Sequence, residues 1–127
     1  MRKIKLATSI FLLSFQLSVQ AQSNSAFEMN NRGVHLLDEG KYDRAIALFK
    51  AALIQIPTYR MAKTNLGIAL SNKGLSLIKD GNLAAGIALL EESVKVDSTN
   101  QTTLKILEKA KQRFEKEKST PIESLHY

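Results

Sequence analysis

Cysteine is missing from the chain altogether. Disulfides therefore contribute nothing to stability, thiolate zinc sites are excluded, and no thiol nucleophile exists. An oxidising compartment is tolerated, and stability must come from packed apolar surface. Histidine is almost as scarce: His35 and His126 stand far apart, so there is no metal-spaced pair. The sequence also has no Gly-x-Ser-x-Gly turn and no glycine loop of phosphate-cradling spacing. Asp38 and Glu39 adjoin, but neighbours in a helix point about 100° apart and form no acid–base dyad. No alternation of period two is sustained, which excludes an extensive sheet. These absences leave an all-α, non-catalytic chain with no cofactor and no metal.

Long hydrophobic runs are lacking too. The most apolar stretch, from Leu6 to Val19, is interrupted by Ser14, Gln16 and Ser18. At roughly 14 residues it is shorter than the ~20 needed to span a bilayer. It follows a basic head, Met1-Arg2-Lys3-Ile4-Lys5, and precedes Val19-Gln20-Ala21, the order of a secretory signal. Residues 1–21 are expected to be cleaved after Ala21, the alternative being a retained amphipathic N-terminal helix, and the absence of cysteine there excludes lipid attachment. Residues 22–25 are expected to be disordered, 26–118 to form one helical domain, and 119–127 to be a flexible tail. The formal charge is +6, but three of those charges, Arg2, Lys3 and Lys5, lie in the head. The remainder does not argue for nucleic acid. An exported protein is expected, periplasmic or secreted, from a Gram-negative bacterium.

What the mature part does have is an internal duplication. Arg32-Gly33-x-x-Leu36-x-x-x-Gly40 leads into Ala45-Ile46-Ala47-Leu48-Phe49. Forty-one residues on, Lys73-Gly74-x-x-Leu77-x-x-x-Gly81 leads into Gly86-Ile87-Ala88-Leu89-Leu90. A period of this order marks stacked supersecondary units, none of which can bury its apolar face alone. Ser25 with Glu28 reads as a capping box for a first helix that Gly40 closes. A second helix spans 42–55, its apolar residues recurring at three- and four-residue steps, and Pro57 ends it. A third is predicted from about Thr58 to Asp80, with Gly67 and Gly74 inside it as close-contact positions or as a kink. A fourth runs over 83–96 with Ala84, Ile87, Leu90 and Val94 as its buried stripe. A fifth, 101–118, is capped by Ser98 and Gln101; one face is apolar and the other highly charged, as a terminal cap must be.

The stretch from Gly33 to Pro57 resembles a tetratricopeptide repeat. Gly33, Gly40, Tyr42, Ala45, Phe49, Ala52 and Pro57 stand at that family's spacings, and Asn65-Leu66-Gly67 is similar to its first-helix Asn-Leu-Gly. In the second copy Gly86 replaces the first Ala, Leu90 the ring, Ser93 the second Ala and Ser98 the Pro. The seven residues beyond the family's usual ~34 add about two helical turns to the third helix. The resemblance implies a right-handed stack of antiparallel helix pairs, about five helices in all, with a C-terminal capping helix. Gly33, Gly40, Tyr42, Ala45, Phe49, Ala52, Pro57, Gly67, Gly74 and Gly81 are its packing and turn positions.

In this family the first helix of each pair lines a groove. The resemblance therefore implies that Phe27, Asn30, Val34 and Leu37 face inward, followed by Met61, Thr64, Asn65, Ile68, Ser71 and Asn72. Phe27, Val34 and Ile68 could equally be ordinary core. Lys105 and Lys109 could join from the fifth helix. The expected ligand is a protein or peptide. Some relatives grip a C-terminal carboxylate with paired Lys and Asn; here Asn30 and Val34 occupy those positions in the first repeat, and only Asn65 matches in the next. The alternative expectation is a self-associating structural subunit, in the simplest case a homodimer.

Overall fold

Gly40 and Gly81 adopt φ values of +72° and +86°, a region that only glycine enters at little cost. At each, the chain leaves a helix through the same pair of hydrogen bonds. Lys41 N donates to Leu36 O at 2.8 Å and Gly40 N to Leu37 O at 3.0 Å; Asn82 N donates to Leu77 O at 2.8 Å and Gly81 N to Ile78 O at 3.2 Å. This double closure satisfies carbonyls that the helix end would otherwise orphan. The computed structural model describes residues 2–119, and all their regular structure is helical. The helices are α1 (Arg2–Asp38), α2 (Tyr42–Gln55), α3 (Arg60–Lys79), α4 (Leu83–Val96) and α5 (Gln101–Ser119). The all-α class is as the sequence implies. Beyond Ser119, the expected tail lies outside the described residues.

Several boundaries differ from expectation. Residues 22–25 are helical, and α1 passes through Ser25 without a new start. No proline or glycine lies between Arg2 and Arg32, so nothing local stops the helix. Ser25 instead accepts a hydrogen bond on Oγ from Gln55 Nε2 at 3.3 Å, and Ala26 beside it is fully buried. Upstream, Ile10, Phe11, Leu12, Leu13, Phe15, Leu17 and Val19 are all 50–74% exposed. That segment adds nothing to the core. At the start of α5 the capping residue is Asn100, whose Oδ1 accepts from Thr103 N at 3.0 Å, in place of Ser98. In α4 the buried stripe is Leu83, Gly86, Leu90 and Ser93, while Ala84 is exposed. The small residues Gly86 and Ser93 allow a close approach that larger ones would block, so the face toward α3 is narrower than a stripe of large residues suggests.

Successive helices pack on one another, α1 on α2, α2 on α3, α3 on α4 and α4 on α5, with a lesser contact between α1 and α3. The duplication is structural as well as sequential. Adding 41 to the bounds of α2 gives those of α4, and adding it to the start of α3 gives that of α5. The same shift maps buried residues onto buried residues: Ala26 onto Gly67, Asn30 onto Ser71, Gly33 onto Gly74, Ala45 onto Gly86, Phe49 onto Leu90, Ala62 onto Thr103, Leu66 onto Leu107 and Ala69 onto Ala110. One core cluster holds Ala45, Phe49, Leu66, Ala69 and Leu70. Another holds Leu83, Leu90, Leu107 and Ala110, and a third Ala26, Ala52 and Ala62.

The glycines inside helices are contact points. A Cβ on Gly33 would meet the Phe49 ring at 2.6 Å, and one on Gly74 would meet Gly86 O at 2.9 Å and Leu90 Cγ at 3.2 Å. One on Gly67 would meet Asp97 Cβ at 3.2 Å. α3 runs as one helix through both Gly67 and Gly74. Gly40 and Gly81 have nothing within 4 Å of a Cβ position; their role is backbone conformation.

Candidate binding face

The ten residues nominated for a groove fall into two groups. Asn30 is 1% exposed and Ser71 is 6% exposed, so neither lines open surface. Each instead bridges first helices. Asn65 Nδ2 donates to Asn30 Oδ1 at 2.9 Å, joining α3 to α1. Thr103 Oγ1 lies 3.2 Å from Ser71 Oγ, joining α5 to α3. Buried polar groups must be paired, and here the pairing sets the order α1–α3–α5. Val34 and Leu37 are half-buried and pack against the Phe49 cluster. The reason is the large ring on Gly33, which draws that flank of α1 onto α2.

Phe27, Met61 and Thr64 are exposed, and Asn65, Ile68 and Asn72 are half-buried. Phe27 is 45% exposed and Met61 61%. The Phe27 ring meets Tyr59 edge-on, with centroids 5.1 Å apart and an interplanar angle of 89°. Tyr59 is not among the residues expected in the groove; the third helix, expected from about Thr58, begins at Arg60 with Tyr59 as its cap. Lys105 and Lys109 are exposed on α5.

Ala45, Phe49 and Ala52 have no exposed surface. Tyr42 is half-buried and Pro57 exposed at its turn. Ser93, which takes the place of Ala52 in the second copy, donates from Oγ to Gly67 O at 2.7 Å. A hydroxyl is thus accommodated where a methyl stands in the first copy.

At the turn between α4 and α5, Asp97 Oδ1 accepts from Thr99 Oγ1 at 2.6 Å and from Thr99 N at 3.1 Å. The Thr99 hydroxyl first, then its amide, and to a lesser degree Thr64 hold this carboxyl below its usual range. Lys41 lowers Glu39 and Lys111 lowers Glu91 in the same way, through exposed ion pairs.

Two of the open grooves that flank the second helices can be compared by register. One, about 370 Å³, is lined by Gly40, Lys41, Tyr42, Asp43, Arg44, Lys73, Ser76 and Leu77, and the Asp43–Lys73 ion pair crosses it. The other, about 400 Å³, lies between α4 and α5 and is lined by Ala84, Ile87, Lys111, Phe114 and Glu115. Shifting by 41 places Ala84 and Phe114 at the positions of Asp43 and Lys73. An ion pair in one repeat is therefore an apolar pair in the next. Comparing the two copies position by position is the signal that finds this groove.

Among the described residues no group of three or more His, Cys, Asp or Glu is placed to hold a metal ion, and no helix is long and apolar enough to cross a membrane. No protein-family model matches the chain, and it has no significant match among curated proteins.

Proposed function

We propose that this chain is an exported, non-catalytic protein-binding module of the tetratricopeptide type, in which α1, α3 and α5 line a concave face of a small right-handed helix-pair solenoid. The observation that carries the reading is the register of 41 residues, which repeats helix bounds, caps and buried positions together. Stacked units of this kind present the same face of each first helix side by side. On that face Phe27, Met61, Thr64 and Ile68 combine apolar and polar surface suited to a peptide. Export is supported by the exposure of every large apolar side chain from Ile10 to Val19. The shift of 41 from Arg60 also puts the start of the first repeat at Val19. Residues 10–21 are all exposed, so their removal would take no buried side chain from the core.

The test is crosslinking in the native host followed by affinity capture and mass spectrometry, with Phe27→Ala and Ile68→Ala as controls. A specific partner lost in both variants is expected. Recovery of the same proteins with wild type and both variants would count against the face.

A second reading, self-association, is favoured by one observation, the apolar groove of Ala84, Ile87 and Phe114. Light scattering separates the two: a monomer at micromolar concentration removes this reading.

A further inference from the structure

The shift of 41 residues also carries a change of charge. Thr64, Ile68 and Asn72 on α3 map onto Lys105, Lys109 and Arg113 on α5. The matching positions of α1, Ser23, Phe27 and Asn31, are uncharged as well. A neutral face thus ends in a cationic edge. The three cations are exposed and recur every four residues, so they form one row about 12 Å long. Like charges at this spacing repel. Only Arg113 has a relieving partner among these three: its Nε donates to Glu117 Oε1 at 2.7 Å. No ion pair among the described residues uses Lys105 or Lys109. Elsewhere on the molecule Lys50 pairs with Glu92 and Lys111 with Glu91, while the exposed Lys63, Lys79 and Lys95 have no ion pair among the described residues, so it is the row, not the missing partner, that sets Lys105 and Lys109 apart. Glu108 and Glu115 of α5 stand at the positions of Gly67 and Gly74; Glu108 follows Lys105 by three residues, yet neither carboxylate forms an ion pair with Lys105 or Lys109 among the described residues.

We infer that the partner of this face is an acidic peptide segment, whose carboxylates meet Lys105 and Lys109 while an aromatic or aliphatic side chain reaches the uncharged surface around Phe27 and Ile68. The inference rests on the proposed binding face and adds the chemistry of its ligand. Charge complementarity of this kind chooses the partner and speeds its capture more than it raises affinity. Two separated features, one cationic and one apolar, also fix the direction in which the peptide lies.

The experiment is selection of a random dodecapeptide library on the purified full chain, followed by fluorescence anisotropy of the selected peptides. Selected sequences are expected to carry an excess of Asp and Glu together with one large apolar residue. Their binding should weaken about tenfold in the Lys105→Gln/Lys109→Gln double variant and with rising salt. Both lysines are exposed, and an unchanged circular dichroism spectrum confirms that the variant is folded. Selection of uncharged peptides that bind wild type and variant equally overturns the inference and leaves the binding-module reading standing. Failure to select any peptide overturns both. Vesicles containing phosphatidylserine and a single-stranded oligonucleotide serve as competing anions. If either binds as tightly as the peptides, and loses as much in the double variant, the row is a general anion surface and the inference falls.

Discussion

Replacing Gly86 by alanine tests the packing of the second repeat by the sign of its effect. In a helix, alanine is favoured over glycine by about 1 kcal/mol, so a Gly86 free of neighbours would gain from the change. The structure places it otherwise. A Cβ there would lie 2.5 Å from Ile78 Cγ1 and 2.7 Å from Gly74 O. The second of these atoms is backbone in the middle of α3 and cannot rotate away. Relief requires α3 and α4 to separate, which loosens Leu90, a residue with no exposed surface. Overpacking of this kind costs about 1–3 kcal/mol. Subtracting the propensity gain leaves a net loss of about 1 kcal/mol, or a fall in Tm of roughly 4–8 °C for a domain of this size.

Ala88→Gly is the control, because Ala88 is exposed on the same helix and its replacement should cost about 1 kcal/mol by propensity alone. Urea denaturation followed at 222 nm gives both values. The two opposite changes, glycine to alanine and alanine to glycine, should therefore destabilise by similar amounts. A rise in stability for Gly86→Ala, of the size that propensity predicts, would refute the close approach of α3 and α4.

Phe49→Ala should cost about 3–5 kcal/mol, since the ring is fully buried against Gly33; a smaller loss, read from the same urea curves, would mean that α1 and α2 collapse onto the gap. Gly81→Ala meets no atom but must hold φ near +86°, so thermal denaturation should show a loss of about 1–2 kcal/mol with the helix content unchanged. Asp97 has a folded pKa below its ordinary value, so its contribution is present above the usual carboxylate range and is lost as pH falls through the folded value. Tm measured from about pH 6 down to about pH 2 should therefore fall more steeply for wild type than for Asp97→Asn, and parallel curves would remove the Thr99 and Thr64 contacts from the account.

How much of this was legible in the sequence depends on the scale of the signal. The caps at Gly40 and Gly81 were readable because a positive φ demands a residue type. The helices 42–55 and 83–96 were readable because period, cap and breaker agree. The passage of α1 through residues 22–25 was not, since a polar run can be a frayed end or the exposed side of a helix, and only the contact of Ser25 with Gln55 decides. Nor was the burial of Asn30 and Ser71. A small polar residue looks the same from the sequence whether it faces solvent or pairs across an interface, and the pairing partners Asn65 and Thr103 lie more than thirty residues away. Ala84 fits the helical spacing of Ile87 and Leu90, but the buried positions run through Leu83, Gly86, Leu90 and Ser93, and Ala84 lies outside them.

At the same register α5 differs from α1 and α3. Within the first and second units, a glycine in the first helix admits the large residue of the second: Gly33 admits Phe49, and Gly74 admits Leu90. At the corresponding position α5 carries Glu115, and at the position of Gly67 it carries Glu108. Burying either carboxylate under a further helix without a partner would cost several kcal/mol, roughly what a packed leucine contributes. The flank of α5 that would receive a next helix is thus better in water. Its opposite flank, with Leu107 and Ala110, closes the core left open by α4. α5 therefore turns carboxylates to water on one flank while its other flank completes the core begun by α4.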